Sequence, residues 1–237
     1  MSGGGRWEGG AGGGRGPGYP DDMSGGRAYA FKVLCPNQLI SSVVGHRGAV
    51  KDQIQEATGC KLIFSGREEF YPGTQLRVLV VYGDRADMLL PAVDRIIDHI
   101  VECGEEESNH PPAGETLFLG KEYGEYRLKV AISPKMSGAV IGTKGTTIKA
   151  IREESGARLF IEKDQFQGHQ MMNMVATPEG LRSAAMRVNE CIHEDAGSEA
   201  YREWASVRRF GEAADEWQGW GRTAAGWKGG HKGGKRG

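Results

Sequence analysis

Two short clusters in this chain have the residue types to grip an anion: Gly45-His46-Arg47-Gly48 and Gly142-Thr143-Lys144-Gly145. In each, two glycines bracket a pair of polar or basic residues. Glycine permits a backbone corner that side chains would obstruct, and the amides that open a following helix favour a negative group. His46-Arg47 and Thr143-Lys144 add positive charge or a hydroxyl donor at that corner. The chemistry on offer is the holding of a phosphate, not the making or breaking of a bond. A lone Gly-x-x-Gly is usually only a turn, so the flanking sequence has to decide.

The flanks decide by repetition. The two clusters lie 97 residues apart, and the same offset pairs Lys32-Val33 with Lys129-Val130, Val43 with Val140, Ile54 with Ile151, Thr58-Gly59 with Ser155-Gly156, and Lys61-Leu62 with Arg158-Leu159. An ungapped register from residue 32 to about 64 means that one small module is present twice.

The elements that must position the corners follow from periodicity. In the second copy, residues 126–132 alternate polar and apolar as a half-buried strand does. Pro134 suits the first turn of a helix, Met136, Val140 and Ile141 give that helix an apolar stripe, and Gly142 stops it. Thr146 opens a second helix with Ile148 and Ile151 on one face, ended by Ser155-Gly156. Residues 158–162 and 171–176 read as strands around a 165–170 loop, and 178 to about 194 as a closing helix. The first copy has a strand at 30–35, helices at 37–44 and 49–58, and strands at 61–65 and 75–82 around a Pro72-Gly73 turn. A helix from 85 to about 102 turns Val93, Ile96, Ile97 and Ile100 inward. The fold class is α+β, and each copy of roughly 70 residues suffices for one small core.

With these elements in place, Ile141-Gly142-x-x-Gly145-x-x-Ile148-x-x-Ile151, followed by Arg152-Glu153-Glu154-Ser155-Gly156-Ala157-Arg158-Leu159, resembles the type I K-homology (KH) domain. It is similar to the copies in poly(C)-binding, hnRNP K-like and Nova-like proteins, and the resemblance covers about 28–103 and 124–195. It implies two three-stranded antiparallel sheets, each packed on three helices in β-α-α-β-β-α order. It also implies grooves that hold about four unpaired nucleotides each. Carried over residue by residue, the implied RNA-binding set is Val44, Gly45, His46, Arg47, Gly48, Ile54, Lys61 and Arg77 in the first copy. In the second it is Val140, Ile141, Gly142, Thr143, Lys144, Gly145, Ile148, Ile151 and Arg158. Lys61 and Arg158 fall where the resemblance places a cation that reaches bases, and Arg77 where it places another. Met171 stands at the place comparable to Arg77, so the copies are expected to read different bases. Lys51 replaces the apolar residue that the second copy has at Ile148. Three outcomes are open: a lysine turned outward with Val50 inward, an added phosphate contact, or a groove with a weaker grip.

Other chemistries find little support. Gly138 to Lys144 has neither the spacing nor the preceding strand of a phosphate-binding P-loop. His46 has no nearby partner in the pattern, and His99, His110, His169, His193 and His231 show no metal-ligand spacing. The expectation is a non-enzyme without cofactors.

Composition sets the ends apart. Of 237 residues 38 are glycine, and the net charge is −1, so no overall basic field draws a partner in. The chain divides into a Gly/Arg-rich tail (1–27), the first KH copy (28–103), an acidic linker (104–123) and the second copy (124–195). A short helix through Tyr201, Trp204 and Val207 (196–216) and a Gly/Trp/Lys-rich tail (217–237) follow. The tails hold too little apolar surface to fold, and their cations and aromatic rings suit RNA contact. Cys35, Cys60, Cys103 and Cys191 lie singly, as reduced thiols do. With no signal peptide or long apolar run, nucleus or cytoplasm is expected, without membrane contact.

The expected function is single-stranded RNA binding through two grooves. A role in RNA processing, stability or translation follows by family analogy alone. A single-stranded DNA regulator and a protein scaffold are the alternatives, with protein partners at the tails or at 198–216.

Overall fold

The architecture follows from one unit used twice. A computed structural model describes residues 26–207 together with 209 and 210. The first unit runs β1 (Tyr29–Cys35), α1 (Asn37–Val44), α2 (Ala49–Thr58), β2 (Lys61–Phe64), β3 (Arg77–Gly83) and α3 (Leu89–Asn109). The second repeats it as β4 (Tyr126–Ile132), α4 (Pro134–Ile141), α5 (Thr146–Ser155), β5 (Arg158–Phe166), β6 (His169–Ala176) and α6 (Pro178–His193). A last helix, α7 (Glu199–Ser206), follows. Side-chain oxygens cap three of the helices where the sequence offers Ser or Thr before the first turn. Ser133 accepts from the Met136 amide, Thr177 from Gly180 and Ser198 from Tyr201.

The two sheets merge. All six strands form one antiparallel sheet in the order β2-β3-β1-β4-β6-β5. Its seam is the pair Val33 and Val130, which are equivalent residues of the repeat. A contact between a residue and its own counterpart marks a two-fold relation between the halves. The merger also hides both β1-type edges, which would otherwise expose unpaired backbone groups. Helices α3 and α6 pack side by side over the seam. One sheet face, carrying Phe31, Val33, Leu79 and Val81 in one half and Leu128, Val130, Met172 and Met174 in the other, supplies a continuous core under these helices.

The opposite face is covered in one half by α7. Tyr201 accepts a hydrogen bond from the Ala30 amide at 2.8 Å, and the Tyr82 hydroxyl donates to the Ala205 carbonyl at 2.8 Å. Beneath α7 lies Lys32, 0 % exposed. Its ammonium donates to the carbonyls of Trp204 and Val207 and to His169 Nε2 at 2.9 Å, and sits 4.8 Å from the Trp204 ring centroid. The carbonyls ending a helix carry partial negative charge, which is why a buried cation is tolerated there. Phe210 closes this layer edge-on to Tyr71 and His169.

Three expectations need revision. The closing helix of the first unit begins at Leu89 and runs on to Asn109, taking in the first part of the stretch read as an acidic linker. Glu107 is buried there, and its carboxylate accepts from the amides of Leu117, Phe118 and Leu119 at 2.6, 2.9 and 3.1 Å. Burying the apolar Phe118 draws the connection onto the protein and gives that acid a structural task. Strands β5 and β6 extend through most of the residues read as their loop, past a register shift between Ile161 and Gln165. The short C-terminal helix ends at Ser206, and the rest of its expected span from 211 lies outside the described residues, as do the tails at 1–25 and 217–237.

Candidate nucleic-acid interface

The paired corners share one backbone geometry. Gly45 (φ 68°, ψ −176°), Arg47 (φ 54°, ψ 22°) and Gly48 (φ 89°, ψ 4°) are matched by Gly142 (φ 72°, ψ 176°), Lys144 (φ 54°, ψ 25°) and Gly145 (φ 79°, ψ 17°). Positive φ at Arg47 and Lys144 is uncommon for residues with a side chain. Both corners hold it identically, closing α1 and α4 and launching α2 and α5. His46, Arg47, Thr143 and Lys144 are all exposed.

The two glycines of each corner have different reasons. A Cβ on Gly45 would collide with Val50, and one on Gly142 with Thr147, the corresponding residue of the next helix. The first glycine therefore serves packing within the protein. A Cβ on Gly48 would meet nothing closer than Asp52 Oδ2 at 4.0 Å, and one on Gly145 nothing within 4 Å. The second glycine serves the left-handed turn and leaves the surface open for a backbone to approach.

The corners differ in charge. Asp52 stands in the first turn of α2, where the second unit has Lys149. A carboxylate at a helix N-terminus competes with an incoming phosphate, whereas a lysine attracts it. Lys51 is half-buried and Val50 packs against the core, so the inward role at this corner passes to the valine.

Beside each corner a side chain crosses from the second helix to the free edge strand. In the first unit Gln55 Oε1 accepts from the Leu62 amide at 2.9 Å. In the second, Arg152 donates to the Leu159 carbonyl at 2.6 Å. Gln55 and Arg152 are equivalent positions, as are Leu62 and Leu159. The same residue of the edge strand is thus held by its N–H in one groove and by its C=O in the other. At the far end of the edge strand Arg77 donates to the Ser65 carbonyl and reaches Asn37 Oδ1, while Gln170 donates to the Glu162 carbonyl at 3.1 Å. Arg77 pairs with Cys35 and Gln170 with Ile132, so Gln170 and not Met171 is the counterpart of Arg77.

Of the residues expected to contact RNA, the structure brings Val44, Gly45, His46, Arg47 and Gly48, and Ile141, Gly142, Thr143, Lys144 and Gly145, to the two corners. Ile141 is 40 % exposed, Val44 and Ile148 are half-buried, and Arg77 closes the far end of the first groove. Ile54, Val140 and Ile151 are buried core and present no surface. Lys61 and Arg158 lie elsewhere. Each precedes a core-facing leucine, and strand alternation sends it to the face away from the corners. Arg158 there forms a two-pronged pair with Glu125, at 2.8 and 2.6 Å. Burial works against the Glu125 carboxylate, but the Arg158 hydrogen bonds outweigh it and its pKa falls below the ordinary value. Gln55, Arg152 and Gln170 were missed in the sequence. The 97-residue offset that equates Gln55 with Arg152 was the available signal.

Comparison with known proteins gives the family. The KH domain family model matches residues 30–98 and 127–190, and the chain belongs to that family. It is similar to the human RNA-binding protein Nova-2, with 29 % identity over 174 residues, which are 70 % of this chain and 35 % of that one. It is also similar to the RNA-binding protein Pasilla of Drosophila melanogaster, with 25 % identity over 170 residues, 70 % of this chain and 21 % of that one. The chain therefore spans about a third or less of these relatives. A crystal structure of Dim2p from Pyrococcus horikoshii OT3 aligns over 74 % of this chain and 97 % of its own at 17 % identity, with a TM-score of 0.27.

Proposed function

We propose that this chain binds single-stranded RNA through its two corners and the grooves beside them, without catalysis, in the service of post-transcriptional control. The observation that carries this reading is the duplicated corner. Two left-handed turns project cationic or hydroxyl side chains to solvent beside an open amide-bearing surface, next to a half-buried apolar residue and a free strand edge. A phosphate suits the amides, and an unpaired base suits the apolar wall and the strand edge. Nova-2 and Pasilla, which bear RNA-binding in their names, are similar to this chain.

The fused sheet places the free edges β2 and β5 at opposite ends, five strand spacings apart, or about 24 Å. A single RNA reaching both grooves must carry a spacer between two short motifs, and it gains affinity through effective concentration.

The test is retention of short ribo-oligonucleotides by the full chain. Thr143→Asp/Lys144→Asp is expected to weaken binding at least tenfold with an unchanged circular dichroism spectrum, and His46→Asp/Arg47→Asp to add to that loss. Unaltered binding in the fourfold variant overturns the reading. Competition between ribose and deoxyribose oligomers separates RNA from single-stranded DNA.

A further inference from the structure

Lys32 and Lys129 are one residue of the repeat, and both lie on the sheet face turned away from α1–α6. In the first half the carbonyl acceptors for that lysine come from Trp204 of α7 and from Val207 that follows it, with His169 as a third partner. A single α7 cannot serve both halves. In the second half Lys129 is half-buried and, among the described residues, its ammonium has no hydrogen-bond or ion-pair partner.

Two rows of side chains cross the half that α7 does not reach, where the segment around Gly120 packs on the buried Val175. Phe160, Asn173 and Lys129 are successive cross-strand partners, and beside them run Arg158, Val175 and Arg127. Phe160 is 55 % exposed, whereas its first-copy counterpart Ile63 packs against the core. Of the carboxylates near this face, Glu125 pairs with Arg158, and Glu162 accepts from the Asn173 amide at 3.1 Å. Arg127 gives one N–H to the Thr116 carbonyl at 3.1 Å and keeps the others. Burial, and then Arg127 beside it, draw the Lys129 ammonium below its ordinary pKa against the opposing pull of Glu162 and Glu115.

We propose that this face is a second contact site for the same single strand: a base stacks on Phe160 and an adjoining phosphate settles between Lys129 and Arg127. An exposed ring on an edge strand, flanked by cations, is the arrangement that holds unpaired nucleotides without regard to sequence. The site is continuous with the second groove. Leu159 and Ile161 face the helices on one side of the free β5 edge, and Phe160 between them faces the other. A strand leaving the groove over that edge arrives at the ring. The inference rests on the RNA-binding reading and extends it beyond the corner.

Oligomer length separates the two. A tetranucleotide fills one groove, and a ten-nucleotide strand also reaches the back face. In the full chain, Phe160→Ala is expected to leave tetranucleotide affinity unchanged and to weaken the ten-nucleotide strand roughly tenfold, the loss of one stacked base. Phe160→Tyr, which keeps the ring, should restore it. Lys129→Gln should lower the salt slope for the longer strand alone by about one. Because both side chains lie outside the core, the Lys129 variant also guards against an unfolded Phe160 variant. If Phe160→Ala and Lys129→Gln bind the longer strand as the natural chain does, the back face is idle and the groove reading stands. If the natural chain retains neither length, both readings fall.

Discussion

Lys32 and Lys129 stand at the same place in two copies of one module, yet the first is sealed under α7 and the second is not. The identical side chain is a structural donor in one half and an uncommitted cation in the other. The two-fold relation centred on Val33 and Val130 is broken by one eight-residue helix.

This asymmetry sets the effect of substitution. Lys32→Met leaves the carbonyls of Trp204 and Val207 without their donor in a dry layer and is expected to lower stability by about 1–3 kcal/mol. Lys129→Met should fall within about 0.5 kcal/mol of the natural chain. Urea unfolding of both variants measures the difference, and equal values would mean that α7 does not depend on Lys32.

The same layer makes stability depend on pH. Burial first, and then the Lys32 charge, push the His169 pKa down to about 3. The ring is neutral, with Nδ1 donating to the Gln167 carbonyl at 2.7 Å and Nε2 accepting from Lys32. The unfolded imidazole titrates near ~6.5, so between that value and 3 the unfolded chain binds the extra proton. Stability is fully present above about 6.5 and declines as pH falls toward 3. Unfolding free energies at pH 7.5 and 5.0 should differ in this direction, and His169→Gln should flatten the slope.

The two glycines of the second corner should respond unequally. Gly142→Ala drives a methyl group into Thr147 in addition to occupying a left-handed φ, whereas Gly145→Ala meets open space and bears only the backbone strain of about 1 kcal/mol. Thermal denaturation should place Gly142→Ala well below Gly145→Ala. The reverse order would contradict the packing role assigned to the first glycine.

Arg152→Ala removes the tether from α5 to the β5 edge, a charged-donor bond worth about 1.5–3 kcal/mol. Amide hydrogen exchange in β5 should quicken while β2, held by Gln55, stays protected. Uniform exchange in both strands would show that the tether does not hold the edge.

The repeat made much of this fold legible. Helices α1, α2, α4 and α5 have the bounds that their glycine stops and apolar spacing predict, because helix ends are local events. The strand alternation that sends Arg158 away from the corner was also present in the sequence, since Leu159 beside it is plainly core. The resemblance to base-reading positions outweighed it. The partner of Arg158 was not legible, because Glu125 lies 33 residues away and nothing local joins them.

By itself the chain of residues determined the module, its duplication and the two corners, since turns, caps and amphipathic periods act over a few neighbours. Tertiary structure alone decided that the two sheets become one, that α7 lies across only one half of its back, and that Glu107 anchors the segment after α3. Those outcomes depend on which polar groups find partners across 10 to 175 residues of sequence, a matter of three-dimensional proximity that no local pattern encodes.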